Sequence, residues 1–256
     1  RGLGDVYKRQ AYVSRVGESA GKMYGFVYDG TYKEEDFNIT VNENGKKTYE
    51  LKPGVPKFKD GCQPGDPKYK NIDGSEDNLI TDNDRTVIGN GHPLHTGGFT
   101  NNFVYKNWDL NIFLQWSYGN DVFNVNRLVM ENPGAKKQLN QFASYKNRWS
   151  ESNPTSNIPR VRAVGADEYS SLYVEDGSFL KLKTISLGYN FDTKTLKRIG
   201  LSAARVFVSA ENIATITGYS GSDPEVSTRH SVLTPGFDWS AYPRAFNASL
   251  GVNVTF

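Results

Sequence analysis

The chain has 256 residues and a net charge of +2 at pH 7, with 30 Lys and Arg against 28 Asp and Glu. This balance gives no reason to expect a nucleic acid partner. Mean hydropathy is −0.58, and no apolar run is long enough for a membrane-spanning helix. Aromatic residues make up 13% of the chain and glycine is abundant at 25, which is typical of β-rich proteins. The single cysteine, Cys62, excludes an internal disulfide framework.

The first ten residues, RGLGDVYKRQ, differ in character from the rest of the chain. They carry charges but lack the apolar core of a signal peptide. They resemble the translated adapter-like sequence found at the ends of some metagenome-derived reading frames. We therefore interpret residues 1–10 as non-native and assign the functional chain to residues 11–256. An ordinary polar strand end is the alternative interpretation.

An acidic segment, DGSEDNLITDND at residues 73–84, has the spacing of a calcium-binding loop. Oxygen-bearing groups fall at positions 1, 3, 5, 7, 9 and 12 of such a loop. The candidate ligands are Asp73, Ser75, Asp77, the carbonyl of Leu79, Thr81 and Asp84. Asn78 replaces the usual glycine, although Asn tolerates a positive φ, and Asp84 replaces the usual glutamate. The sequence predicts either a structural Ca²⁺ site, the sole cofactor expected, or an acidic solvated loop.

Motifs for catalysis are weak. The segment Gly17–Gly21 fits the nucleophile-elbow pattern G-x-S-x-G but lacks the strand and helix that should flank it. His92 and His95 are spaced for a metal, but a proline lies between them and a loop is the simpler interpretation. Carboxylate pairs lie in loops without an apolar neighbour to raise a pKa. We therefore expect no enzyme activity.

Five segments alternate between apolar and polar residues with the period of a β-strand. They lie at about residues 97–105, 108–118, 179–191, 203–213 and 246–256. The first two meet at Lys106-Asn107, which predicts a tight hairpin. On one face we expect Leu110, Ile112, Leu114, Val252 and Val254; on the other, Asn111, Gln115, Asn253 and Thr255. The alternation slips near Lys183, which indicates either a bulge or a segment above the bilayer.

The lengths and connections of these strands favour a transmembrane barrel over a soluble sandwich. An 11-residue strand spans about 36 Å, or about 28 Å when tilted, close to the thickness of the hydrocarbon layer. Short links alternate with long segments at 17–96, 119–178 and 214–245. Aromatic residues lie near both ends of the strands, as membrane interfaces require. In one long segment, Leu139, Phe142, Tyr145 and Trp149 recur at helical spacing and predict a short loop helix.

Several blocks carry a family resemblance, in the same order from about Ala11 to Phe256. They are GKMYGFVYDGTY, DNDRTVIGN, TGGFTNNFVYKNWDLNIFLQWSYGNDVFN, YVEDGSFLKLKTISLGYNF, RVFVSAENIATITGYSGSDPEV and LTPGFDWSAYPRAFNASLGVNVTF. Together they resemble the C-terminal part of the SusC/RagA family of TonB-dependent outer-membrane receptors. In that family the block before DNDRT is usually a glycine-containing acidic loop, from which Asn78 and Thr81 depart.

The resemblance implies an all-β fold: the C-terminal antiparallel strands of a large transmembrane β-barrel, 22-stranded in the family, with long extracellular loops. It implies import of glycans, or sometimes peptides, across the outer membrane of a Gram-negative cell. The implied partners are a SusD-like lipoprotein, outer-membrane lipid and the TonB complex, the last through N-terminal parts absent here. Two alternatives come from other classes: a soluble β-rich carbohydrate-binding or adhesin module, and a glycoside hydrolase using paired carboxylates.

Overall fold

A computed structural model describes residues 10–132, 139–228 and 230–256. Residues 1–9 of the predicted non-native segment lie outside the described residues, as does the start of the predicted loop helix. In the described part of the chain, β-strands predominate and the two α-helices are short, at Val125–Met130 and Thr193–Lys197. The predicted all-β class is confirmed. No helix of the described residues is long and apolar enough to span a membrane.

The strands are numbered in chain order over the described residues. They are β1 (Tyr12–Val13), β2 (Lys22–Phe26), β3 (Tyr28–Thr31), β4 (Phe37–Val41), β5 (Lys47–Leu51), β6 (Pro67–Tyr69), β7 (Arg85–Asn90), β8 (His95–Tyr105), β9 (Trp108–Tyr118), β10 (Asp121–Asn124), β11 (Val174–Asp176), β12 (Phe179–Asn190), β13 (Ala203–Thr217), β14 (Phe237–Asp238) and β15 (Asn247–Thr255). Short 3₁₀ turns occupy Glu34–Asp36, Asp82–Asp84, Ala143–Asn147 and Ser171–Tyr173.

The chain divides into two compact units. One, the sheet unit, comprises Pro93–Asp121, Asp176–Val226 and Ala241–Phe256. The other, the loop unit, comprises the described parts of Arg1–His92, Val122–Glu175 and Ser227–Ser240. Each segment of the loop unit falls largely within one of the long connections between the predicted strands. The described parts of those connections therefore pack into a compact unit.

The sheet unit contains a five-stranded antiparallel sheet in the order β15-β13-β12-β9-β8. Strands β8 and β9 pair over 11 residues each, from His95 opposite Tyr118 to Tyr105 opposite Trp108. The two-residue turn between them is possible because Lys106 adopts a positive φ of 53°, as a tight hairpin requires. Strand β13 is the longest, at 15 residues, and continues beyond the predicted end at residue 213.

Backbone register sorts the side chains of this sheet into two faces. One row across all five strands is apolar: Phe103, Leu110, Leu187, Val208 and Leu250. The neighbouring row, on the opposite face, is polar: Asn102, Asn111, Ser186, Ser209 and Ser249. The residues predicted to lie on opposite faces of β9 and β15 do so, because side chains alternate along a strand. We call these the apolar face and the polar face.

The slip in alternation near Lys183 is a β-bulge. The register of β12 shifts between Leu182 and Thr184 against both of its neighbours. On the facing strand, Asn212 adopts a positive φ of 53° at the same level. The extra residue returns Lys181 to the polar face, opposite Gln115. The bulge therefore places Lys181 on the polar face.

The loop unit has hydrophobic cores of its own. The largest draws buried residues from all three segments, including Met23, Phe123 and Phe237. Two smaller cores lie within residues 26–80, around Tyr69 and Tyr32. In the described part of the segment where helical spacing predicted a loop helix, from residue 139 onward, the structure has the 3₁₀ turn Ala143–Asn147. Tyr145 in this turn is buried, whereas Leu139 and Phe142 before it are exposed.

Gly25 is a point of close backbone approach in the loop unit, and its substitution provides a test of this packing. The Phe26 N–H donates to the Tyr169 carbonyl at 2.9 Å, and a Cβ at position 25 would overlap that carbonyl oxygen. We expect Gly25→Ala to destabilise the loop unit by about 1–3 kcal/mol, the usual cost of overpacking. Limited proteolysis of the complete receptor should show earlier cleavage within this unit. Gly218→Ala is the control, since nothing lies within 4 Å of its Cβ; equal sensitivity of the two variants would contradict the packing.

Candidate functional site

The polar face of the sheet carries an ion pair between β13 and β9, the two strands that flank β12. The Arg205 guanidinium on β13 donates to both carboxylate oxygens of Asp109 on β9, at 3.2 and 2.5 Å. Asn190 of β12 donates to the same carboxylate at 3.0 Å. The guanidinium crosses β12 over Gly188, where a Cβ would overlap it. A glycine at this position is therefore what lets Arg205 reach across the intervening strand.

A second and larger cluster of charges surrounds Lys181, near the other end of β12. The Lys181 side chain is only 2% exposed. Its ammonium donates to Asp223 Oδ1 at 3.5 Å and contacts Glu225 Oε2. Glu225 Oε1 in turn forms an ion pair with Arg244, with Nη1 2.9 Å away. A buried ammonium without partners would be strongly destabilising, so these carboxylates are what permit a lysine here.

Asp223 also organises the backbone of the segment between β13 and Val226. Its carboxylate accepts N–H groups from Glu225 at 3.0 Å and Arg244 at 3.1 Å. Burial raises the pKa of this carboxyl, but the two N–H groups and the Lys181 ammonium together hold the pKa below its usual value. A folded-state pKa below the unfolded one means that the carboxylate stabilises the fold at neutral pH. That contribution is lost as pH falls through the folded-state pKa.

The sequence patterns gave no role to Lys181, Asp223, Glu225 or Arg244. The sequence held one signal. Strict alternation along β12 would assign Lys181 to the apolar face, and a lysine there indicates that a bulge intervenes. The partners of that lysine could not be found from spacing, because Asp223 lies 42 residues from it along the chain. Only the fold of the connecting segment brings these groups together.

The apolar face has a hollow of about 470 Å³ at the end of the strands near Tyr118. Its lining includes Trp116, Leu180 and Ile216. His95 stacks on Tyr118 with ring centroids 5.2 Å apart, and Trp116 Nε1 donates to His95 Nδ1 at 3.3 Å. The predicted loop interpretation holds for His92, whose Nε2 lies 2.8 Å from the Val232 carbonyl, whereas His95 is the first residue of β8.

In the acidic segment 73–84, Asp84 turns towards the backbone. Its side chain is buried, and its oxygens accept the N–H groups of Ile72 at 2.7 Å, Asp73 at 3.1 Å and Thr81 at 2.8 Å. Three N–H donors stabilise the Asp84 carboxylate in this position. Asp84 therefore closes the segment as a loop by binding its backbone.

The other predicted ligands of this segment also make local turn contacts. Asp77 Oδ1 accepts from Ser75 Oγ at 2.7 Å and from the Leu79 N–H at 3.0 Å, and Asp73 Oδ1 accepts the Ser75 N–H at 2.8 Å. The N–H of Leu79, followed by the Ser75 hydroxyl, lowers the pKa of Asp77. Asn78 has the positive φ that the sequence suggested, at 53°. Within the described residues, no three His, Cys, Asp or Glu side chains are grouped to hold a metal. Calcium binding stays a prediction of the sequence.

The role of Asp84 can be separated from calcium binding by two variants. Asp84→Asn places an amide group against three N–H donors, and we expect the segment to lose about 1–3 kcal/mol of stability and become more sensitive to protease. Asp73→Asn removes only one local acceptor from an exposed residue and should leave sensitivity nearly unchanged. Both are measured in the complete receptor with and without Ca²⁺. If Ca²⁺ protects the unsubstituted receptor from protease and does not protect Asp73→Asn, the calcium prediction is supported. If Ca²⁺ protects neither, the segment is an acidic turn without a bound ion.

No family model matches the sequence. The chain is similar to curated proteins over nearly its whole length. It is 33% identical over 258 residues to TonB-dependent receptor P3 of Formosa agariphila, covering 99% of the chain and 24% of that protein. It is 31% identical to TonB-dependent receptor P26 of the same organism, covering 94% and 23%. It is 30% identical over 164 residues to TonB-dependent receptor SusC of Bacteroides thetaiotaomicron, covering 62% and 15%.

Solved structures agree on the fold. The RagAB peptide transporter superposes with a TM-score of 0.65 at 22% identity, over 92% of the chain and 23% of that protein. The RagAB peptide importer in its closed-closed state gives 0.68 at 21% identity, over 96% and 24%. The chain spans about a quarter of the length of the relatives it matches first. It belongs to the SusC/RagA family of TonB-dependent receptors, as part of a larger barrel receptor.

Proposed function

We propose that the chain forms part of the wall of an outer-membrane transporter that imports nutrients on energy from a TonB complex. The observation that carries this proposal is the two-faced sheet. Its strands β8, β9, β12 and β13 are 11 to 15 residues long, whereas strands of globular proteins average about half that length. A tilted strand of this length matches the hydrocarbon thickness of a bilayer.

Exposure of the apolar face supports a lipid environment. Phe103 is 55% exposed, Val208 48% and Leu250 78%, and all three lie in one row of the sheet. A continuous apolar surface of this kind is unfavourable in water. Contact with hydrocarbon removes that penalty, while the row Asn102 to Ser249 lines a wet passage on the other face.

The proposed cargo is a glycan or oligosaccharide, or a peptide, captured together with a SusD-like lipoprotein. The relationship to SusC supports this partner, and the likeness to RagAB, a peptide importer, supports peptides as the second cargo class. The runner-up is a soluble carbohydrate-binding or adhesin module. The exposed aromatic rings of Trp108 and Tyr118 favour it, since exposed rings can stack on sugars.

Gene deletion and fractionation test the transporter proposal. The complete receptor should sediment with the outer membrane, and its deletion should abolish growth on its cargo without affecting growth on a simple sugar. Panels of oligosaccharides and of oligopeptides as sole nutrients distinguish the two cargo classes. Recovery of the receptor as a secreted soluble protein would favour the adhesin module instead.

Adjacent residues of β9 provide a test of the two faces. Ile112→Arg places a charge on the face assigned to lipid, which costs about 2–4 kcal/mol near the midplane of a barrel. Asn111→Arg places the same charge on the polar face. We expect Ile112→Arg to reduce the amount of folded receptor in the outer membrane far more than Asn111→Arg, measured by heat-modifiable gel mobility. Equal yields of the two variants would sink the assignment of the faces.

A further inference from the structure

Glu225 is held entirely by side chains in the described structure. Its Oε1 lies 2.9 Å from Arg244 Nη1 and 3.5 Å from Gln115 Nε2. Its Oε2 contacts the Lys181 ammonium and lies 4.0 Å from Lys183 Nζ. The side chain is only 9% exposed. A carboxylate with donors on both oxygens in this way has the environment of a bound ligand.

Asp223 has a different role from Glu225, although both contact Lys181. Asp223 accepts two backbone N–H groups and so fixes the conformation of its own segment. Within the part of the chain that the structure describes, the Glu225 carboxylate contacts side chains and no backbone N–H group. Replacing the Glu225 carboxylate should therefore leave the turn around Asp223 intact. The two acids can be separated experimentally.

The charges of the cluster do not balance. Among the described residues, the three cations Lys181, Lys183 and Arg244 surround the two carboxylates of Asp223 and Glu225, so one positive charge is left over. Removal of the Glu225 carboxylate would leave two. In a partly buried location such an excess attracts an anion much more strongly than it would in water.

We propose that Lys181, Lys183, Arg244 and Gln115 form a carboxylate-binding site in which Glu225 is the resting occupant. A cargo that carries a carboxylate, from a uronic acid or from an acidic side chain, displaces Glu225 and takes its place. The proposal rests on the proposed function in one respect, the assignment of the polar face to the passage for cargo. The charge cluster itself is present whether or not that assignment holds.

The test uses the complete receptor, purified in detergent, and the variant Glu225→Gln. This variant keeps the size of the side chain and removes its charge. Calorimetric titration with tetragalacturonate and with tetraglutamate, at fixed ionic strength, should show roughly tenfold tighter binding or more to the variant than to the natural receptor. Addition of Lys181→Gln should abolish the gain. Maltotetraose and tetraglutamine, which carry no side-chain carboxylates, should bind both forms alike.

Asp109→Asn is the matched control, because it frees Arg205 on the same face without creating a cluster of cations. It should produce little or no gain with either anionic probe. The proposal is overturned if Glu225→Gln binds these probes no tighter than the natural receptor, or no tighter than Asp109→Asn. Preference for one probe identifies the source of the carboxylate. Because binding is measured in detergent, failure here is distinct from failure of the import assay.

A second measurement does not depend on the stability of Glu225→Gln. Val226 is 8% exposed beside Glu225, and Cys62 is the chain's single cysteine. In a complete receptor whose natural cysteines, Cys62 among them, are all replaced by serine, Val226→Cys reports by maleimide labelling whether the segment that carries Glu225 leaves the sheet. Saturating tetragalacturonate or tetraglutamate should accelerate labelling several-fold, and the uncharged probes should not. Equal rates with all probes would contradict displacement of Glu225.

Discussion

Antiparallel backbone hydrogen bonds across five strands determine which side chains share a face, and the remaining properties of the sheet follow from that register. Because alternation has a period of two, a shift of one residue in any strand would exchange its two faces. Leu110, Leu187 and Leu250 form one apolar row only in the observed register. Because the five strands share one register, the sheet has one apolar face and one polar face. An apolar face suits lipid and a polar face suits water.

The bulge at Lys183 is the one departure from this regularity, and the charge cluster depends on it. Without the extra residue, Lys181 would lie among Leu114, Trp116 and their neighbours on the apolar face, where a charge is costly. With it, the ammonium lies opposite Gln115 on the polar face and contacts Asp223 and Glu225. A local irregularity thus places a buried cation where carboxylates can reach it.

The long connections show a different principle of construction. Their segments contribute to a common core, in which Met23, Phe123 and Tyr173 are almost completely buried. They also carry ion pairs between distant residues, such as Asp66 with Arg160 at 2.6 Å. A connection that folds in this way loses little further entropy when it binds a ligand, so it can present a fixed surface rather than an adaptable one.

The sequence by itself determined the fold class, the hairpin at Lys106-Asn107 and the two faces of β9 and β15, because these depend on local alternation and turn chemistry. It also indicated that Lys183 disturbs the pattern and that Asn78 could adopt a positive φ. Tertiary structure decided the rest. It turned the Asp84 carboxylate towards three backbone N–H groups, and it brought Glu225, with Arg244 beside it, to Lys181 across more than 40 residues. Such contacts depend on how connecting segments fold back, which periodicity along a strand does not encode.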